Sequence, residues 1–341
     1  MAEQKIQVGA FLHSFYEANL EASIRAAGKS GLKLPVAQIG PVSDGLLIGN
    51  VKPVRDRVAR MLKEEGLKVA LGCTCFELGP GRSGGEEVYD TIEDIVRTGG
   101  LGYIEDDKTD ILKQRMAVYK NHLDFLVYLR DQGLISQDKT GLSSHWGFID
   151  REPAQRTQVK EGFTIIAKYA KDRNIYLLME TGTEPIEQTI EFIEEIDLPN
   201  IGLNIDLANH ILYRTQKPED VLKGLEDKDF YGKVFGFHAK DAILNAGAQI
   251  IGKAEGEWQA ADVRFGTGII PWKELIIPTL YKKGVIVPAI IERESQDIDP
   301  AVMKSVAKGS VEEQQLIATA RLGDIRTAMN YLLEMKQYVT R

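Results

Sequence analysis

Cysteine is nearly absent from this 341-residue chain, which has two, Cys73 and Cys75, and only five histidines. The two cysteines lie two apart on an apolar stretch, where alternation points both the same way. So close a pair is a poor candidate for a structural disulfide, and a reducing cytoplasm is the simplest setting. They are also too few for a structural zinc site, so both read as core thiols. No apolar run approaches the ~18 residues of a membrane span. The start of the chain shows no basic segment followed by a long apolar one, so no signal peptide is expected. Cations are short as well: the formal net charge is -8, which argues against a duplex nucleic-acid partner, since that binding draws on clustered Lys and Arg. Phosphate-loop chemistry is missing too. The glycine-rich stretch GPGRSGG (residues 79–85) lacks the Gly-Lys-Ser/Thr that precedes a helix, and no strand leads into GxGxxG. It and TGGLG (98–102) read as a long surface loop, with a lid over a site as the sharper alternative.

What is present is a regular alternation. Apolar residues make up 43% and charged residues 27% of the chain, enough for a sizeable core with a solvated surface. Strands are predicted at 6–12, 34–39, 68–75, 141–149, 175–180, 201–206, 233–238 and 285–292. Helices are predicted at 17–27, 54–65, 110–131, 154–171, 185–196, 218–225, 271–283 and 311–338. Eight strand–helix units in succession imply a parallel sheet with right-handed crossovers. Eight is also the number that closes a (β/α)8 TIM barrel, expected here as a single domain over 1–341 with insertions after strands 3 and 7. An open, doubly wound sheet is the alternative, without the cofactor fingerprint it would need.

Four of the predicted strands end in a charged or metal-binding side chain: Glu180, Asp206, His238 and Glu292. In a barrel these ends share one rim, the rim that carries chemistry. Three carboxylates converging in a pocket repel one another, and one stays protonated unless a cation neutralises them. Mostly oxygen ligands suit Mn2+, Mg2+ or Co2+ better than structural zinc.

The stretches Glu180-Thr181-Gly182, Asp206-Leu207-Ala208-Asn209, His238-Ala239-Lys240-Asp241 and Ile291-Glu292-Arg293-Glu294 resemble the xylose isomerase-like TIM barrel superfamily, and most closely its sugar phosphate isomerase/epimerase branch. The resemblance covers most of the chain and is clearest from about residue 140 to 295. It implies that Glu180, Asp206, His238 and Glu292 hold one divalent metal ion, Mn2+ first, with Mg2+, Co2+ or Zn2+ as alternatives. There are two departures. Ketose 3-epimerases of the superfamily usually carry His where Asn209 stands. The apurinic endonucleases carry Asp-x-His before Gly-x-Gly, where this chain has Asp262-Val263-Arg264 ahead of Gly266-Thr267-Gly268. A three-metal nuclease site is therefore not expected.

The activity so implied is isomerisation or epimerisation of a sugar or sugar phosphate. The metal polarises the carbonyl, Glu180 and Glu292 act as the acid/base pair, and an enediolate lies between the two proton transfers. Elimination from a keto-sugar is the lyase alternative, and cleavage of abasic DNA is the alternative from another class; a third reading is a non-catalytic sugar-binding barrel. His145, Asn209, Lys240 and Arg264 are the candidate substrate-binding residues, with a surface ion pair an equal reading for Arg264 and a structural role an equal reading for His145. Phe11, His13, Trp258 and Phe265 are weaker candidates for pocket walls. The expected partner is a small carbohydrate, with no nucleic acid and no membrane; a homodimer or homotetramer rests on family likeness only.

Overall fold

The computed structural model describes residues 7–15, 20–32, 34–43, 46–74, 111–137, 140–144, 153–244, 260–294, 300–308 and 310–339. Cys75, both glycine-rich stretches, His145, Trp146 and Trp258 lie outside the described residues.

Among the described residues eight strands form one sheet: β1 (Val8–Phe11), β2 (Val36–Ile39), β3 (Lys68–Thr74), β4 (Gly141–Ser144), β5 (Tyr176–Glu180), β6 (Ile201–Ile205), β7 (Val234–Ala239) and β8 (Ala289–Ile291). Every neighbouring pair is parallel, and β1 pairs with both β2 and β8, so the sheet closes on itself. This is a (β/α)8 TIM barrel, as the alternation predicts. The helices lie between the strands, and the last, Val311–Val339, packs across β1 through buried Ile325, Ala328 and Leu332. Among the described residues no helix is long and apolar enough to cross a membrane.

Because a barrel strand alternates between interior and helix-facing sides, the core divides in two. A large layer between strands and helices includes Val69, Leu142, Leu177, Met179, Leu203 and Phe237. A small interior cluster holds Phe11, Val36, Leu71, Leu178, Phe235 and Ile290. The interior cluster plugs the barrel and supplies the floor of whatever lies above it.

The structure departs from expectation where backbone chemistry intervenes. The predicted strand 285–292 is ordered as a strand only from Ala289, because Pro288 has no N–H to give the ladder; its carbonyl still accepts from Phe237 N at 3.3 Å. The helix predicted at 271–283 opens with a π turn, Trp272–Ile276, just before Pro278, which likewise cannot donate. A helix not anticipated, Leu207–Leu212, starts directly at Asp206. The insertion after β7 contains an antiparallel hairpin, Asp241–Leu244 with Ala260–Val263.

One glycine fixes the height of the interior floor. A Cβ on Gly236 would lie 2.7 Å from Leu71 Cδ1 and 2.9 Å from Asn204 Oδ1. Gly236→Ala should therefore destabilise the protein by about 1–3 kcal/mol through overpacking. Urea unfolding checks this; an unchanged midpoint would mean the interior has slack there.

Candidate metal centre

Glu180 closes β5, Asp206 follows β6, His238 lies near the end of β7 and Glu292 follows β8. One donor atom from each lies within 4.8 Å of every other. The four side chains are 3%, 0%, 0% and 8% exposed as residues. The parallel register that sets Glu180 beside Asn204 leaves Asp206 two residues further on, over the same interior face.

Local backbone chemistry aims each ligand. Asp206 is the N-cap of Leu207–Leu212: its Oδ1 accepts from Asn209 N at 2.8 Å, satisfying one of the helix's unpaired amides. That leaves Oδ2 turned to the centre. Thr181 fixes the same residue from the other side, its Oγ1 accepting from Asp206 N at 3.0 Å. Gly182 is held at φ +130°, and a Cβ there would stand 2.2 Å from Asn209 Cβ. Glycine after Glu180-Thr181 thus lets the turn press against the helix carrying Asn209.

His238 presents Nδ1, at 3.4 Å from Glu180 Oε1, 3.4 Å from Asp206 Oδ2 and 3.0 Å from Glu292 Oε2. Behind it, Nε2 lies 2.9 Å from both Gln38 Oε1 and Asn204 Nδ2. A ligating Nδ1 requires the proton on Nε2, donated to Gln38 Oε1. Asn204 Nδ2 donates to Ser143 Oγ at 2.9 Å, and Ser143 Oγ donates to Glu180 Oε2 at 3.3 Å. Gln38, Ser143 and Asn204 went unnoticed in the sequence because attention to strand ends passes over residues inside strands. Their signal was a polar residue interrupting an apolar run, in VAQI, GLSS and IGLNI.

The electrostatics fit a cation. Asp206 Oδ2 and His238 Nδ1 are both buried without a well-aligned hydrogen-bond partner. With protein groups alone, burial opposes a charge on His238, but Glu292, Glu180 and Asp206 outweigh it and hold its pKa well above the ordinary value. Burial raises the Asp206 carboxyl against the pull of Lys240 and His238. Burial also opposes ionisation of Glu292, yet His238 and Lys240 bring it down to about 2. A pocket that pulls a proton onto a buried imidazole is one where a divalent ion could take the proton's place. Glu180, Asp206, His238 and Glu292 have the donor chemistry for it, with oxygen predominating.

The remaining site candidates separate. Lys240 is buried and joins the centre: its Nζ lies 3.2 Å from Glu292 Oε2, 2.7 Å from Glu294 Oε2 and 3.7 Å from Asp206 Oδ2. Burial disfavours its charge, but Glu292, Glu294 and Asp206 more than restore it and push its pKa well above the ordinary value. Asn209 bridges, donating from Nδ2 to Glu180 Oε1 at 3.1 Å while its Oδ1 accepts from Lys240 Nζ at 3.1 Å. Arg264 pairs with Asp324 of the last helix at 2.7 Å. Asp324 also takes Arg293 Nε at 3.0 Å, and Arg293 Nη1 reaches Asp262 at 2.9 Å, so this network ties the hairpin and the last helix to the segment after Glu292. Asp241 faces away, accepting from the amides of Ala242, Gly266, Gly268 and Ile270; it pins the loop 266–270. Phe265 packs on Trp272 and Tyr331, and Phe11 belongs to the interior floor. Of the other described histidines, His122 and His210 are buried elsewhere, each pushed down to about 3 by desolvation, and His13 is exposed.

Known proteins match this chain in family and in fold. A family model described as xylose isomerase-like TIM barrel matches residues 51–310. No curated protein matches it in sequence. The chain is similar in structure to a xylose isomerase domain protein from Planctomyces limnophilus, at 19% identity and TM-score 0.65 over 98% of this chain and 99% of that one. It is similar to a xylose isomerase-like TIM barrel protein from Mycobacterium smegmatis in complex with magnesium, at 14% identity and TM-score 0.57 over 96% and 98%. It is similar also to D-allulose 3-epimerase from Methylomonas sp. in complex with D-allulose, at 14% identity and TM-score 0.57 over 96% and 98%.

If Gln38 orients the His238 ring for a metal, Gln38→Leu should weaken binding of Mn2+ or Mg2+ by roughly 10–100-fold. Calorimetric titration of the metal-stripped protein measures it. Equal affinity in the variant would show that the ring is held by other contacts.

Proposed function

The chain belongs to the xylose isomerase-like TIM barrel family, and on that premise we propose that it is a metal-dependent isomerase or epimerase acting on a sugar or sugar phosphate. One observation carries the reading: four buried donor atoms from four strand ends meet within 4.8 Å, two of them without hydrogen-bond partners. Such a set suits one divalent ion, with manganese the first candidate. The match to a magnesium complex and to a sugar-bound epimerase supports metal and substrate class.

A bound divalent ion would supply Lewis acidity, polarising a substrate carbonyl. The chain's own residues do the rest. Glu180 and Glu292 enter the centre from strands that are not neighbours, with β6 and β7 between them, so they flank a substrate rather than share one side of it. One removes the proton from the carbon beside the carbonyl, leaving an enediolate; the other returns a proton. Return to the opposite face of that carbon gives an epimer, and return to the neighbouring carbon gives an aldose–ketose isomer. The two carboxylates are not equivalent. Glu292 is held ionised by Lys240, whereas Glu180 touches the neutral donors Ser143 and Asn209. Glu292 is therefore our candidate for the base that takes the proton, and Glu180 for the acid that returns one. Lys240 and Asn209, together with His145, are proposed to contact substrate hydroxyls or the developing oxyanion, while Arg264 takes the ion-pair reading, with Asp324.

Replacing either glutamate by glutamine keeps size and one ligand oxygen while removing the base. Glu180→Gln and Glu292→Gln should each lower kcat by about 100-fold or more, with the protein still folded by circular dichroism. Incorporation of solvent deuterium beside the carbonyl should stop in both. Undiminished turnover or exchange in either variant rejects its acid/base role.

A further inference from the structure

Glu294 has no part in the metal group, yet it is built into the same place. Its carboxylate takes the Lys240 ammonium at 2.7 Å, the tightest contact that lysine makes. Its backbone is fixed on both sides: the amide donates to Asp262 Oδ2 at 3.0 Å and the carbonyl accepts from Arg321. The side chain remains 42% exposed, while Lys240 beneath it is almost fully covered. A carboxylate on a fixed backbone therefore stands at the mouth of the centre, open to whatever enters.

Among the described residues, the cations in contact with this segment are already engaged. Lys240 serves Glu292 and Glu294, and Arg293 serves Asp262 and Asp324. Arg264 serves Asp324, and Arg321 serves the carbonyls of Arg293 and Glu294. Glu294 thus adds a further carboxylate beside Glu292, and the one ammonium between them, that of Lys240, is shared by both. An anionic substrate would meet that carboxylate on approach, and a like charge at a binding site selects by exclusion. Hydroxyls, in contrast, find acceptors and donors in Glu294 and Asn209.

We propose that Glu294 is a specificity-determining carboxylate that turns away phosphate esters and sugar acids, so that the site takes an uncharged polyhydroxy-carbonyl compound. This rests on the sugar reading above and narrows it. The test is calorimetric titration of the Mn2+-loaded protein with a five-carbon polyol and with its terminal phosphate ester, with inorganic phosphate as a control for binding to the ion alone. The wild type should bind the polyol at least about ten-fold more tightly than the ester. Glu294→Gln should shrink that ratio about ten-fold by improving binding of the ester, and Glu294→Asp, which keeps the charge, should preserve it. Tighter binding of the ester by the wild type overturns the proposal and leaves the sugar reading standing. So does a ratio that Glu294→Gln does not move. If neither compound binds, the sugar reading fails and takes this inference with it.

Discussion

Three carboxylates cannot be buried beside one another, nearly dry, unless something positive stands among them. That constraint organises the upper half of this barrel. Glu180, Asp206 and Glu292 converge on His238 with almost no exposure to water. Lys240 supplies one positive charge within the protein, and Asp206 Oδ2 and His238 Nδ1, buried without a well-aligned hydrogen-bond partner, could take another. Desolvation makes each uncompensated charge expensive, and removing one partner from such a group is far more damaging than its net worth suggests.

The rest of the fold serves to hold these groups at a fixed separation. The interior cluster that includes Leu71, Leu178, Phe235 and Ile290 fills the barrel below. Above that floor lies a ring of neutral polar residues, Gln38, Ser143 and Asn204, which hold His238 and Glu180 in orientation. The charged candidate ligands come next, with buried Lys240 and Asn209 against them and the partly exposed Glu294 beyond. Apolar, neutral polar and charged layers thus succeed one another along the barrel axis. This order lets the dielectric cost fall on groups that have partners. The hairpin, the loop 266–270 and the last helix attach to the same rim through the pairs of Arg293 and Arg264 with Asp262 and Asp324, and through Asp241. The stability of the rim and the geometry of the centre are therefore linked.

Legibility in the sequence differed among these layers. Each strand's apolar run was readable because a barrel strand is covered on both faces. Its end was readable where the run stopped at a charge, as at Glu180 and Glu292. The helix after Asp206 was not seen, since six residues carry too little periodicity, although Asp206 as a cap followed three residues later by Asn209 was a usable signal. Gln38 and Asn204 were passed over because a single polar residue in an apolar strand looks the same whether it faces a helix or the barrel interior. Arg264 shows the same difficulty in reverse: nothing in Asp262-Val263-Arg264 says that its guanidinium meets Asp324, sixty residues away in sequence.

The order of residues alone determined the eight-fold alternation, the closed parallel sheet and the four strand ends that carry charge, because hydrophobic period and strand termination are local properties. Tertiary structure alone decided which atoms of those residues face one another. It decided that Asp206 gives one oxygen to a helix and the other to the centre, that Lys240 is buried between two glutamates, and that Glu294 stands at the mouth. Those outcomes depend on strand register and on contacts between distant segments, and a one-residue change of register would turn every one of these side chains to the other face.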